Sequence, residues 1–289
     1  MKKKLWFVLI ALIIYAAITL MNEGAMENND PGALGMLKVH YIDVGQADSI
    51  LIQNNGEAML IDAGNNGDSE AVVDYIKSQN IKRLAYVIGT HPHEDHIGGL
   101  DAVIESFDIG SVYMPKAIST TKTFEDVLKA VSNKGLKVNA PIPGTNIKLG
   151  NATCTILAPN SSNYDETNNH SIVIKLSHGN NSFLFTGDSE SVSEEEMIEK
   201  GFDLSADVLK VAHHASKSST TQDFLDRVNP KYAVISVGQD NKYGHPDKAV
   251  VDRLKKKDII IYRTDENGTI IATSDAESIV FNLGKAKEK

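Results

Sequence analysis

Cysteine is nearly missing from this 289-residue chain, which holds Cys154 and no other. That excludes an internal disulfide framework, a four-cysteine zinc module and an iron–sulfur cluster. No glycine-rich phosphate loop of the P-loop type occurs, and no Ser-His-Asp order of a nucleophilic hydrolase can be read. Internal repeats and low-complexity stretches are also missing. Positive charge is in short supply: 29 Lys and Arg stand against 38 Asp and Glu, a formal net charge of -9. Bulk charge therefore does not carry the chain onto a polyanion. What remains is a chain with 42% apolar and 23% charged residues, the balance of a folded globular protein. Its length has room for one large domain or two modest ones.

The organisation changes twice near the N-terminus. Lys2, Lys3 and Lys4 precede a run from Leu5 to Met21 that is apolar except for Thr19. A basic flank before an apolar stretch keeps the flank in the cytoplasm. Residues 1–21 are expected to be a signal-anchor, with a cleaved signal peptide as the alternative, since no clear small-x-small cleavage site follows. Either places the rest of the chain outside the cytoplasmic membrane, anchored through residues 5–21 or secreted. No cysteine stands directly after the run, so a lipoprotein-type anchor is not expected. Residues 22–36 are polar with Gly and Pro and read as a linker. The body is expected over 37–284, with 285–289 as a tail.

Within the body, short apolar strands alternate with helices. Leu37–Asp43 reads as a strand, and Asp48–Gln53 with Ala58–Ile61 as a hairpin closed at Asn54-Asn55-Gly56. Helices are expected at Ser69–Gln79, Gly99–Phe107 and Thr123–Lys134, with a buried strand at Leu84–Thr90 and another at Ser111–Met114. The second half repeats the texture. Ile147–Leu149, Thr153–Ala158, Ser171–Ser177, Ser182–Thr186, Val208–Val211 and Tyr232–Val237 read as strands. Helices read at Glu194–Lys200, Thr221–Val228 and Lys248–Lys256, and three closing strands follow at Ile259–Tyr262, Thr269–Thr273 and Ser278–Phe281. Strand-rich blocks with helices in both halves predict an α/β body of two packed sheets with helices outside.

The strongest chemical signal is His91-Pro92-His93-Glu94-Asp95-His96, directly after the buried strand. Three imidazoles and two carboxylates within six residues suit a borderline cation that takes N and O ligands. His91 and His93 alternate toward one side, and Asp95 and His96 reach a neighbouring position. Two adjacent ligand pairs favour two metals, which in hydrolases sit about 3.5–4 Å apart. His40 and His178 lie in strands and read as exposed or half-buried residues without a role.

This hexapeptide resembles the His-x-His-x-Asp-His signature of the metallo-β-lactamase fold superfamily. Five further segments are similar to the ComEC-type hydrolase domain of competence DNA-uptake proteins: Asp43–Ser49, Leu60–Gly64, Phe183–Asp188, Lys210–Ser216 and Tyr243–Pro246. The resemblance covers about residues 37–284 and preserves motif order. It implies a four-layer αβ/βα sandwich, a dinuclear metal site and hydrolysis. By that resemblance His91 and His93 hold the first metal, Asp95 and His96 the second, and Asp188 bridges both. His214, with His213 as the alternative, supplies a third ligand to the first metal, and His245 completes the second. Asp62 and Asp48 are expected behind the ligands, accepting imidazole N–H groups. Lys217 and Ser218 are candidates for holding a substrate phosphate. Many relatives carry a histidine in a Gly-His-Thr-Pro-Gly turn where this chain has Asn168-Asn169-His170-Ser171. His170 is thus a candidate ligand, although a surface position fits its spacing better. The family also often has Gly where Ala47 and Ala215 stand.

The implied mechanism is attack by a metal-bound hydroxide at the dinuclear site, with Asp95 and Asp188 placed nearest the chemistry. The metals are expected to be Zn2+, with Mn2+ or Fe2+ as alternatives. The expected reaction is that of a phosphodiesterase or nuclease, with DNA or another phosphodiester as the partner and no obligate protein partner evident. Residues 205–263 carry 11 basic against 7 acidic residues, a local +4 that favours a phosphate chain. Two other readings stay open: a hydrolase of a phosphorylcholine ester, lactone or β-lactam, and a non-catalytic surface binding module.

Overall fold

Asn55 and Gly56 both adopt positive φ, 48° and 80°. That conformation matches the twist of a two-residue hairpin, and it closes the hairpin where the sequence places it, pairing Asn54 with Glu57. This protein is known from a computed structural model that describes residues 35–117 and 119–285. The apolar run 5–21, most of the 22–36 linker and all but Lys285 of the 285–289 tail lie outside the described residues. Among the described residues no helix is long and apolar enough to cross a membrane.

The first half runs β1 (Leu37–Tyr41), β2 (Ser49–Asn54), β3 (Glu57–Ala63), α1 (Ser69–Ser78), β4 (Arg83–Ile88), α2 (Glu94–Ile97), α3 (Leu100–Ser106), β5 (Asp108–Tyr113), α4 (Lys122–Asn133) and β6 (Val138–Asn139). The second runs β7 (Asn146–Leu149), β8 (Ala152–Ala158), β9 (Val173–His178), β10 (Asn181–Phe185), α5 (Ser191–Glu199), β11 (Val208–Lys210), α6 (Gln222–Val228), β12 (Tyr232–Ile235), α7 (Lys248–Lys256), β13 (Ile260–Arg263), α8 (Thr264–Asn267), β14 (Ile270–Ser274) and β15 (Ile279–Leu283). β6 and α8 have no counterpart in the sequence reading; each is too short for a periodic signal. Helix α5 takes Glu190 at its N-cap, which leaves Asp188 in the turn before it.

Two sheets result, ordered β15-β14-β1-β2-β3-β4-β5-β6 and β13-β12-β11-β10-β9-β8-β7. Both sheets follow one pattern, with β14 and β15 from the end of the chain completing the first. Antiparallel neighbours stand at one end, then parallel strands β3 to β6 in one sheet and β10 to β13 in the other. Strand alternation sorts side chains into three cores. Ile50 and Ile52 face inward and meet Ile156, Leu176, Phe183 and Phe185 of the second sheet. Leu51, on the opposite face, packs with Val72 and Ile76 of α1, Val103 of α3 and Val127 of α4. Leu184, Leu209 and Ala233 pack against Met197 of α5, Phe224 of α6 and Leu254 of α7. Helices thus cover the outer face of each sheet, and strands buried on both faces explain the near-continuous apolar runs.

Both strand histidines are buried, which corrects the expectation of exposure. His40 is 1% exposed, with Nδ1 2.8 Å from the Tyr75 hydroxyl and Nε2 2.9 Å from Gln53 Oε1. His178 is fully buried, with Nδ1 2.9 Å from Ser274 Oγ. Polar partners from neighbouring elements let an imidazole enter a core.

Candidate metal centre

Chemistry-bearing loops gather at one edge of the sandwich. β4 leads into His91–His96, β10 into Asp188, β11 into His213-His214, and β12 into the loop that holds His245. Every one leaves the C-terminal end of a strand in a parallel sheet segment, where α/β folds place ligands.

Asp62, at the end of β3, is the support beneath the histidine loop. Its backbone is left-handed, with φ of 58°. Its carboxylate accepts from the Thr90 N–H at 2.8 Å and the Thr90 hydroxyl at 2.7 Å, and it stands 2.8 Å from His96 Nδ1. That contact turns His96 Nε2 toward Asp188 Oδ1, 3.2 Å away. Helix α2 reaches this position because Gly98 follows it. A Cβ on Gly98 would stand 2.2 Å from the Asn66 backbone nitrogen, closer than any side chain tolerates.

The His213-His214 turn is strained. His213, His214 and Ala215 have φ of 50°, 52° and 64°, three consecutive left-handed residues without a glycine. Each costs on the order of 1–3 kcal/mol, a strain that characteristically sits at functional sites. Ala215 therefore keeps the turn that a glycine would make more easily. The turn splits the two rings. His214 Nδ1 donates to the Ser236 carbonyl at 2.9 Å, and Nε2 lies 3.3 Å from Asp95 Oδ2 and 3.9 Å from Asp188 Oδ2. His213 Nδ1 lies 3.1 Å from Glu190 Oε1, and its Nε2 is 3.7 Å from Asp188 Oδ2.

Asp95, His96, Asp188 and His214 therefore bring four donor atoms within 4.8 Å of one another. His91 and His93 adjoin them: His91 Nε2 is 2.9 Å from His93 Nδ1, and the His91 and His96 rings lie 4.2 Å apart. His245 stands 5.6 Å from His213, ring to ring, with its Nδ1 buried and unpartnered. A cleft of about 340 Å³ opens here, lined by Gln46, His93, Asp95, Asn168, Asp188, His213 and Tyr243 among others.

Electrostatics mark the same point. Burial opposes protonation of His96, but Asp188, Asp62 and Asp95 outweigh it and raise its pKa well above the ordinary histidine value. Burial pushes Asp188 up, while His96 and His214 overcome this and hold it well below the carboxylate range. His91, sealed and beside His96, is driven well below its usual value by burial first and that neighbour second. A divalent cation fits this centre on a further ground. His96 Nε2 and Asp188 Oδ1 are both buried and stand 3.2 Å apart, aligned too poorly for a good hydrogen bond. Poorly satisfied buried atoms leave room for a further partner, and N and O donors of this kind suit a divalent ion.

Several expected residues stand elsewhere. His214 joins the Asp95 and His96 set rather than His91 and His93, because its Nε2 is aimed by Ser236. His170 ends a 3-10 turn, where its ring stands edge-on to Tyr164 at 5.0 Å, outside the residues that line the cleft. Ser218 donates to Glu190 Oε1 at 2.8 Å, so its hydroxyl is committed within the protein. Lys217 is exposed and does not line the cleft. Asp48 Oδ1 is 3.6 Å from His214 Nδ1, whose hydrogen bond goes to Ser236 instead; the stronger partner of Asp48 is Lys210, at 2.7 Å. Carboxylates from outside residues 205–263 neutralise only part of that segment's basic surplus, Asp48 at Lys210 and Asp265 at Arg263. Lys210, Lys231, Lys248, Lys257 and Arg263 all pair with carboxylates.

Sequence reasoning passed over Asn168, Glu190, Lys210 and Ser236. Asn168 Nδ2 donates to Glu190 Oε1 at 3.1 Å and lines the cleft. Only Lys210 left a readable signal, a lone charge inside the apolar strand Val208–Val211. The other three act through contacts between distant segments.

The comparisons agree with this geometry. The metallo-beta-lactamase superfamily model matches residues 42–239, and the chain belongs to that family. Among its relatives, ComE operon protein 3 of Bacillus subtilis (strain 168) is 30% identical over 251 residues, covering 81% of this chain and 32% of that protein. Competence protein ComA of Neisseria gonorrhoeae is 27% identical over 230 residues, covering 79% of this chain and 31% of that protein. The chain therefore corresponds to a ComEC-type competence hydrolase domain and spans about a third of the length of either relative. The metallo-beta-lactamase fold protein YhfI from Bacillus subtilis superimposes with a TM-score of 0.54 at 15% identity, covering 86% of this chain and 100% of that chain, which shows the fold. The chain is thus a metal-dependent hydrolase of this superfamily, with a His/Asp cluster that fits a dinuclear site.

Proposed function

We propose that this chain is a phosphodiesterase or nuclease that cuts nucleic acid or another phosphodiester outside the cytoplasmic membrane. The observation that carries the reading is the buried, poorly satisfied His96–Asp188 pair, whose Asp188 lines an open cleft. Asp95, His96, Asp188 and His214 would hold one divalent ion; His91, His93 and Asp188 would hold its neighbour, with His213 and His245 facing the same space. Zn2+ is the ion proposed, and Mn2+ and Fe2+ compete for the same donors. Two such ions supply Lewis acidity, lowering the pKa of a bound water and offsetting charge on a phosphoryl oxygen.

The chain's own residues do the rest. Asp62 accepts a hydrogen bond from His96 Nδ1 and the Ser236 carbonyl accepts one from His214 Nδ1, so both rings present Nε2 toward Asp95 and Asp188. Glu190 fixes His213 and Asn168 together at the wall. These outer contacts preorganise the donors before substrate arrives. Kinship with competence proteins supports a nucleic-acid substrate, and the basic flank before residues 5–21 supports an anchored, extracytoplasmic body.

The test is hydrolysis by the metal-loaded protein across a panel of Zn2+, Mn2+ and Fe2+. Release of nucleotides from single-stranded DNA is expected, and Asp188→Ala should abolish it. Turnover of a lactone, β-lactam or phosphorylcholine ester in place of DNA would move the assignment to another ester class. Full metal occupancy without turnover of any of them would identify a binding module. For location, a reporter fused after Lys289 should be active outside the membrane, and activity confined to the cytoplasm would reverse the orientation.

A further inference from the structure

Tyr243 is 60% exposed, although it lines the cleft beside the metal-site histidines. Exposure of a lone aromatic ring is ordinary; what is unusual here is how firmly its loop is held. Asn241 pins the segment from both sides. Its Nδ2 donates to the carbonyls of Gly238, at 3.0 Å, and His245, at 2.6 Å. Its Oδ1 accepts from the backbone N–H groups of Tyr243, at 3.2 Å, and His245, at 3.0 Å. Gln46 adds a tie from the first sheet, accepting from the Gly238 N–H at 3.1 Å. The Tyr243 ring lies nearly parallel to His245, with centroids 5.9 Å apart and planes 22° apart, and Lys242 Nζ sits over the ring, 5.1 Å from its centroid, on a flexible stem that can swing aside to an adjoining phosphate. A rigid loop thus offers water an aromatic surface and a cation at the rim of a cleft built for a phosphoryl group. Burial in a core cannot explain the ring, because most of it faces solvent.

We propose that Tyr243 is a stacking platform for an unpaired nucleobase next to the phosphodiester in the cleft, with Lys242 contacting the adjoining phosphate. The proposal rests on the phosphodiesterase reading and narrows its substrate to strands whose bases are unstacked and accessible. Single strands meet that condition, and a base on an aromatic ring is recognised without regard to sequence. The loop's hydrogen bonds fix the ring beforehand, so little ordering remains to oppose binding.

Two phosphorothioate-linked strands of equal length, which resist hydrolysis, test this by fluorescence anisotropy with the metal-loaded full chain: oligothymidylate, and an abasic deoxyribose oligomer with the same charge. The wild type should bind the base-bearing strand about 10–100-fold more tightly than the abasic one. Tyr243→Ala should bring the two affinities together by weakening only the first. Tyr243→Phe should keep the preference, and Lys242→Ala should weaken both strands and flatten the salt dependence. Metal content is measured on each variant, because a ring that only buttresses His245 would change metal content and lower both affinities equally. A wild type that binds the two strands alike, or a Tyr243→Ala protein with its preference intact, overturns the proposal. Binding is read without turnover, so a chain that prefers bases yet cleaves no phosphodiester would refute the catalytic reading and leave the platform standing.

Discussion

Lys210 Nζ lies 2.7 Å from Asp48 Oδ2, and both residues are sealed from solvent at 0% and 1% exposure. The lysine also donates to the Val211 carbonyl at 3.0 Å, at the entrance to the strained His213-His214 turn. This buried pair joins the second sheet to the loop that follows β1 in the first. Removing one partner leaves an uncompensated charge in the interior. Lys210→Met is therefore expected to lose about 3–5 kcal/mol of stability. Adding Asp48→Asn should restore most of it, because no lone charge then remains buried. Urea denaturation of the wild type, both single variants and the double variant measures the coupling. A Lys210→Met protein as stable as the wild type would show that Asp48 finds its compensation elsewhere.

Metal content should track the cluster. Asp188→Ala removes the carboxylate that faces His96, His213 and His214 together, so bound metal should fall by at least one equivalent, and hydrolysis further still. His91→Ala should also lower metal content. His170→Ala should leave content and rate near wild type, since its ring packs on Tyr164 rather than in the cleft. Elemental analysis of purified variants decides each case. A metal-depleted His170→Ala protein would mean that the 3-10 turn before β9 supplies a ligand after all.

Asp62 should matter less than a ligand and more than a surface aspartate. It holds Thr90 twice and the His96 ring once. Asp62→Ala is expected to reduce metal affinity or rate by roughly 10–100-fold, the range for an outer partner of a ligating histidine. Asp62→Asn should lie between that and wild type, since its side-chain oxygen can still accept one of these contacts. The measurement is a metal competition titration against a chelator of known affinity. An Asp62→Ala protein with unchanged affinity would show that Thr90 and the strand end orient His96 unaided.

How much of this was legible in the sequence follows from how local each signal is. The His91–His96 cluster, the Asn55-Gly56 hairpin and the long amphipathic helices are written within a few residues, and they appear where the sequence places them. Asp62 was readable because it sits at a strand end in a compact motif. The partition of His213 and His214 was not readable, because it depends on three left-handed residues and on Ser236 and Glu190, which come from other segments. A charge count over residues 205–263 likewise cannot show that Asp48 and Asp265, outside that segment, stand beside Lys210 and Arg263. His40 and His178 entered the core through partners on neighbouring strands and helices, again invisible in a linear pattern.

His40 gives the last prediction, through its protonation. Burial pushes its pKa down from 6.5 to about 4; the Gln53 hydrogen bond opposes this shift and the Lys38 charge adds to it. The unfolded chain therefore takes up a proton near pH 6.5, while the folded chain does so only near pH 4. Between those values the unfolded state binds more protons, so stability rises with pH. The full contribution is present above pH 6.5 and is lost progressively as the pH falls toward 4, amounting to about 2–3 kcal/mol by pH 4.5. His40→Gln cannot take up the proton, and its amide can still reach Tyr75 and Gln53. The variant should be somewhat less stable than wild type at pH 7, yet lose less stability on acidification by that same amount. Other groups titrate alike in both proteins, so the difference between their unfolding free energies at pH 7 and pH 4.5 isolates this one side chain. Two parallel curves would mean that the His40 ring already exchanges its proton with solvent in the folded state.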